Sequence, residues 1–246
     1  MSSVVKGKLM LTFKEYAKLN EESVFDTIKS AIKKKSLART YPHIDEWIGN
    51  HKEDNQNLAK ADEDTEPRRA ASVFQNLHKS VKATPEESEA VDNYISHDEE
   101  HNSLPLNRAL KKGTKLAPHL EKMRKNLSSL ISKNPAQHEY HAYSGLSYDP
   151  EKMKDENGQV TLNHFSSLTT SRSQGHSYSH DLWKKPEEQP IAHVARIKIN
   201  KGAAVTPADK AEQEIIMGPG KLKHNDYKDY HQDDGKIVRV HEMETV

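Results

Sequence analysis

The apolar residues of this chain change their period at Pro135, and that change restricts the folds open to it. Before it, three sets recur at helical spacing: Val73, Phe74, Leu77 and Val81; Ala90, Val91, Tyr94 and Ile95; Leu116, Leu120, Met123, Leu127 and Leu130. Each predicts an amphipathic helix with one buried stripe. Thr84-Pro85-Glu86-Glu87 gives the second of them an N-cap, a proline at the first helical position and acids in its first turn. A short helix around Leu106 to Lys112 stops at Gly113. Beyond Pro135, strands are expected at His138–Tyr143, Leu162–Ser171, Ile191–Ile199, Glu214–Met217 and Lys236–His241, with loops rich in Gly, Pro and Asp between them. Helices first and strands second predict an α+β domain with a largely antiparallel sheet.

Upstream of these elements, Met10 to Leu37 also reads as helical, and Tyr41 to Gly49 as a short amphipathic turn. From His51 to Glu66 the chain is nearly all polar, with Leu58 the only large aliphatic. We therefore expect a helical N-terminal extension over 1–50, a polar linker over 51–66 and a folded domain over 67–246. Only 33% of the 246 residues are apolar, so a compact core must be concentrated in that domain. The absence of cysteine excludes a disulfide framework, a thiolate metal site and a cysteine nucleophile. No apolar run approaches the roughly 20 residues a bilayer requires, and the first residues carry no apolar signal region. A formal net charge of +0 gives no strong nucleic-acid signal.

Three patches in the strand region carry chemistry. Tyr143-Ser144-Gly145-Leu146 ends one strand, Phe165-Ser166-Ser167-Leu168-Thr169-Thr170-Ser171 is rich in hydroxyls, and Glu212-Gln213-Glu214 precedes the apolar run Ile215-Ile216-Met217. If a turn delivers Glu212 and the strand begins at Glu214, both carboxylates can converge on one substrate.

In order and spacing these patches resemble the mono-ADP-ribosyltransferases, specifically the arginine-serine-glutamate branch of bacterial toxins and bacteriophage enzymes. That family has an aromatic-Arg-Gly step, a Ser-Thr-Ser strand and a Glu-x-Glu after a mobile loop; its Glu-x-Glu form goes with arginine acceptors. Tyr94-Ile95 followed by Leu106-Asn107-Arg108-Ala109-Leu110-Lys111 is similar to a helical segment of the family, and Lys236-Ile237-Val238-Arg239-Val240 to its closing strand. The resemblance covers about 67–246. It implies two roughly perpendicular antiparallel sheets flanked by helices, with NAD in the cleft, used as substrate and without a metal. It implies ADP-ribose transfer from NAD to arginines of host proteins, with release of nicotinamide.

The resemblance also assigns roles. Breaking the nicotinamide–ribose bond leaves an oxocarbenium-like centre, as in glycoside cleavage. Glu214 would stabilise it, while Glu212 would position and deprotonate the acceptor guanidinium. Thr169, Thr170 and Ser171 would brace Glu214 and line the nicotinamide pocket, next to Tyr143. Gly145 would permit close approach of the nicotinamide amide. Two positions depart from the family. Ser144 stands where most members carry a phosphate-binding Arg, and Lys111 stands where a second Arg is expected. Arg172, Lys111 or Arg108 would have to compensate. The loop from Thr206 to Ala211 also lacks the aromatic residue often used in target recognition.

Met10-Leu11-Thr12-Phe13-Lys14-Glu15-Tyr16 with Leu19-Asn20-Glu21 resembles the leader that directs internal proteins into phage proheads. It implies a leader over 1–21, packaging in a phage head, and action in the bacterial host cytoplasm rather than at a membrane. Two alternatives stay open: an NAD glycohydrolase, and a catalytically degenerate phage head or binding protein. Fifteen histidines invite a metal reading, but neither His176 with His180 nor His138 with His141 has the His-Glu-x-x-His form. No Gly-x-Gly-x-x-Gly is present, so NAD would not be held in Rossmann fashion.

Overall fold

The computed structural model describes residues 66–246, apart from 97, 99, 101, 180–186, 189 and 232–234. The expected extension, leader and linker up to position 65 lie outside the described residues.

Four helices come first: α1 (Glu66–Ser80), α2 (Pro85–Tyr94), α3 (Ser103–Lys112) and α4 (Pro118–Lys133). Their ends follow local chemistry. Thr84 N donates to Glu87 Oε2 at 2.9 Å while Thr84 Oγ1 accepts from Glu87 N at 3.3 Å, a reciprocal cap of about 1 kcal/mol at the start of α2. The side chain of Asn102 caps α3, and Gly113 ends it at a φ of 62°. Glu87 also accepts from Ser129 Oγ at 2.7 Å and contacts Lys133 Nζ at 2.6 Å, which ties α2 to α4. Behind that tie, Tyr94, Leu106, Leu120, Met123, Leu127 and Leu130 pack with Phe165 and Ile216.

The rest of the chain forms β1 (Tyr140–Leu146), a 3-10 turn (Pro150–Met153), β2 (Gln159–Leu162), β3 (Ser166–Thr169), the short helix α5 (Arg172–Ser177), β4 (Ile191–Ile199), β5 (Val205–Pro207), β6 (Glu214–Met217), β7 (Gly220–His231) and β8 (Ile237–Thr245). The fold is mixed, a large sheet flanked by helices. Its strands run in the order β2-β7-β8-β4-β1-β3-β6-β5, antiparallel except for β4 against β8. The two expected sheets are the two halves of this order. β2-β7-β8-β4-β1 and β3-β6-β5 meet through a single backbone register pair, Tyr143 with Thr169. α1 covers one face, where Val73, Phe74 and Leu77 pack on Tyr140, Ala142, Ala195, Ile197 and Met243. None of the helices among the described residues is long and apolar enough to cross a membrane.

Three expectations change. The strand expected over Leu162–Ser171 is broken: β2 ends at Leu162, β3 covers Ser166–Thr169, and Ser171 caps α5. β7, the longest strand, was expected as loop. Its sequence is GKLKHNDYKDYH, and only Leu222, His224 and Tyr230 along it are buried, so it offers almost no apolar alternation. Its backbone pairing to β2 and β8 holds it. The closing strand runs to Thr245 rather than His241.

Burial pushes the Glu87 carboxyl up, but hydrogen bonds from Lys133, the Thr84 backbone and Ser129 outweigh it and bring the pKa to about 2. The folded value lies below the unfolded one. Its contribution is therefore complete above the unfolded pKa of about 4.3 and is lost as pH falls toward 2. We expect Glu87→Gln to cost about 1–2 kcal/mol in urea unfolding at pH 7. The gap to wild type should close as the titration approaches pH 2.

Candidate active site

The two acids of Glu212-Gln213-Glu214 do not lie on one strand. A turn spans Asp209–Gln213, in which Asp209 Oδ1 accepts from Ala211 N at 2.6 Å and Glu212 N at 3.0 Å. Gln213 has a φ of 52°, the left-handed region, and is the only non-glycine residue there among those described. β6 begins at Glu214, whose N donates to Asp209 O at 2.8 Å and whose O accepts from Ala208 N at 2.8 Å. The turn therefore holds Glu212 off the sheet, ahead of the first residue of β6. Glu212 is exposed, Glu214 half-buried.

Glu214 sits opposite Thr169 of β3. Its side chain is hydrogen-bonded by Ser167, which also bonds the Tyr94 hydroxyl. Asn107 Nδ2 donates to Tyr94 Oη at 3.2 Å, and Asn107 Oδ1 accepts from Phe165 N at 3.1 Å. When Glu214 is ionised it only accepts, and the protons then run one way: Asn107 to Tyr94, Tyr94 to Ser167, Ser167 to Glu214. Burial pushes the Glu214 carboxyl up to about 7, the Ser167 hydrogen bond opposes that shift, and the charges of Glu212 and Asp209 add to it. Glu212 in turn is bonded by the Tyr178 hydroxyl, which accepts from Gln174 Nε2 at 2.6 Å. The Tyr178 ring remains 42% exposed beside it.

The other expected residues are dispersed. Thr169 Oγ1 donates to Glu212 O at 2.9 Å and accepts from Ser171 N at 3.1 Å, so it fixes the turn rather than touching the Glu214 carboxylate. Thr170 Oγ1 donates to Ala70 O at 2.8 Å, and Ser171 caps α5 through Gln174 N; both are buried away from the acids. Ser167, two residues before Thr169, takes the role expected of them. Tyr143 is fully buried, packed with Val194, Val238 and Val240. Ser144 Oγ donates to Ser167 O at 3.1 Å, bridging β1 to β3 next to their one register pair. Arg172 is 2% exposed and presents no guanidinium to solvent. Arg108 and Lys111 are exposed on α3. Lys111 is one turn beyond Asn107 on the same face, close enough that its charge adds to the burial that lowers His164 to about 4; Arg108 points about 100° away.

Gly145 was expected to admit a ligand. Its missing side chain instead admits the chain itself: a Cβ there would lie 2.1 Å from Ser179 N and Tyr178 C. Gly175 repeats the fit, with a Cβ 2.3 Å from Tyr143 Cβ, so α5 lies flush on β1. Tyr178, Gln174 and Asp209 were not legible as site residues, because only this packing and the turn bring them to Glu212.

No protein-family model matches the chain, and no curated protein does. Solved structures do. Plx2a, an ADP-ribosyltransferase toxin from Paenibacillus larvae, superposes with a TM-score of 0.51 at 16% identity, over 72% of this chain and 92% of that one. The enzymatic component C2-I of the C2 toxin from Clostridium botulinum gives 0.54 at 17%, over 76% of this chain and 48% of that one. The ADP-ribosylating toxin BECa of C. perfringens gives 0.54 at 15%, over 79% and 50%. The chain thus spans nearly all of Plx2a and about half the length of the other two.

Two outcomes are expected. By carbon-detected NMR, Glu214 should titrate near 7, with Glu212→Gln lowering that value and Ser167→Ala raising it. Gly145→Ala should cost about 1–3 kcal/mol in thermal unfolding, because backbone rather than a flexible side chain must yield. At these identities the comparisons establish one thing: this chain has the fold of the ADP-ribosyltransferase toxins.

Proposed function

We propose that this protein transfers ADP-ribose from NAD to arginine side chains of proteins. One observation carries the reading: a half-buried carboxylate, Glu214, braced by a serine hydroxyl, with a second, exposed carboxylate close enough to raise its pKa. The fold is shared with ADP-ribosylating toxins, and the BECa structure was solved with NADH.

In this reading the bond between ribose C1′ and the nicotinamide nitrogen breaks, and nicotinamide leaves with the electron pair. Positive charge develops on the sugar. Glu214, partly removed from water, interacts with that charge more strongly than an exposed acid would. Its raised pKa keeps it from being fully ionised at neutral pH until a cationic ligand arrives. The acceptor guanidinium nitrogen then bonds to C1′ and gives up a proton, which Glu212 takes. Glu212 suits an arginine acceptor because a guanidinium is almost always charged and seeks a carboxylate. The exposed Tyr178 ring beside it offers a face for the same cation. Lys111, on the face of α3 that carries Asn107, supplies a cation for the pyrophosphate as a point charge. The bacteriophage setting, with packaging in the head and action on host proteins in the bacterial cytoplasm, is part of the proposal and rests on the N-terminal resemblance alone.

Incubation with labelled NAD and a bacterial extract tests it. Wild type should label protein in hydroxylamine-sensitive linkage, and Glu214→Ala should reduce labelling at least about a hundredfold. Glu212→Ala should abolish protein labelling while leaving some release of nicotinamide. Free ADP-ribose without labelled protein would indicate a glycohydrolase. Labelling by Glu214→Ala equal to wild type would overturn the proposal.

A further inference from the structure

Away from Glu214, three histidines on three neighbouring strands meet in the interior. His193 of β4, His241 of β8 and His224 of β7 are 5%, 0% and 6% exposed. They extend a row that is otherwise apolar, with Ala195, Met243 and Leu222 on the same face. His193 Nδ1 lies 2.9 Å from His241 Nε2, and His241 Nδ1 lies 2.9 Å from His224 Nε2. His224 Nδ1 faces Glu151 Oε1 at 3.1 Å, too obliquely for a well-formed hydrogen bond. Asp149, on the same 3-10 turn, offers an oxygen within 4.8 Å of the ring nitrogens of His193 and His241.

We propose that Asp149, His193 and His241 hold a divalent transition-metal ion, with zinc the best match, and that His224 and Glu151 orient His241 behind it. The donor set supports this choice: two imidazole nitrogens and a carboxylate suit zinc, leaving a fourth position for water. The tautomers agree as well. The negative charge of Glu151, 3.1 Å away, favours the His224 proton on Nδ1 even without a well-formed hydrogen bond, which leaves Nε2 to accept from His241 Nδ1–H. That leaves the His241 Nε2 lone pair facing His193 Nδ1, with an Asp149 oxygen in the same cluster. Two ligands of a tetrahedral zinc at about 2.05 Å stand roughly 3.3 Å apart. The pair at 2.9 Å therefore needs to open by only a few tenths of an ångström to exchange a shared proton for an ion. A ligating histidine usually donates its other ring N–H to an outer acceptor that fixes its tautomer; here His224 Nε2 is that acceptor, itself facing Glu151. The ion would clamp β4 and β8 to the turn carrying Asp149, and it takes no part in the transfer proposed above.

The full chain, stripped with chelator, should take up one cobalt ion, used as the probe, and develop the intense visible bands of tetrahedral coordination. Zinc should displace it and raise the melting temperature by about 5 °C or more at a hundredfold excess over Kd. Asp149→Asn and His193→Gln should each weaken zinc at least tenfold, and Glu151→Gln should do so without altering the cobalt geometry. The exposed His138→Gln should change nothing. Should His193→Gln fail to fold, the two carboxylate variants decide the matter. Absence of a stoichiometric ion, weak octahedral cobalt bands, or zinc binding indifferent to Asp149→Asn would overturn the proposal. None of these outcomes touches the reading of Glu214, which shares no residue with this cluster.

Discussion

The backbones of β1 and β3 share one register pair, Tyr143 with Thr169, and everything at the candidate site hangs from that junction. On one side lies the broad half-sheet, β2-β7-β8-β4-β1; on the other, the short strands β3, β6 and β5. A single pair is a weak hinge, since a backbone hydrogen bond nets only about 1 kcal/mol. Side chains reinforce it. Ser144 bonds Ser167 O across the gap, and the two glycines of β1 and α5 let that helix lie flat over the seam. From below, Phe165 and Ile216 anchor β3 and β6 in the helical core. Because Glu214 and Ser167 belong to the small half and Tyr178 reaches them from α5, the spacing of the acids from their partners depends on how firmly this seam is closed.

Much of the fold was legible because its drivers are local. The caps of α2 and α3 are written in Thr84, Glu87, Asn102 and Gly113, and β4 and β6 announce themselves by their apolar residues. β7 was not legible, because its stability comes from two neighbours rather than from its own side chains. At the site, the acidic pair could be recognised, and so could a turn followed at once by a strand at Glu214. Which hydroxyl would reach Glu214 could not. Thr169, Thr170 and Ser171 differ little from Ser167 as residue types, and register alone decides among them. Thr170 is drawn to Ala70 O, a partner one hundred positions away in sequence.

The arrangement around Glu214 balances two opposed effects. Burial favours the neutral acid; the Ser167 hydroxyl favours the anion, and it is itself held by Tyr94 and Asn107. A carboxyl poised near 7 in this way is available as an anion to a cationic group but is not a fixed charge that must be compensated in the empty protein. Glu212 contributes to that poise from outside, where water screens it. Two acids of the same type, separated by one residue, are thus placed differently: Glu214 in the braced interior of the site and Glu212 at its exposed edge.

Ser144 can be understood in the same terms. Its hydroxyl holds β1 to β3 where their backbones diverge, a task that needs a short side chain close to the main chain. An arginine at this position would project past the seam and leave Ser167 O to find another donor. In the proposed reaction, that choice moves the burden of binding phosphate from β1 to α3. There Lys111 lies on the face that also carries Asn107, the residue that begins the hydrogen-bond chain to Glu214. One helix would then both set the hydroxyl chain behind the carboxylate and supply the cation for the dinucleotide.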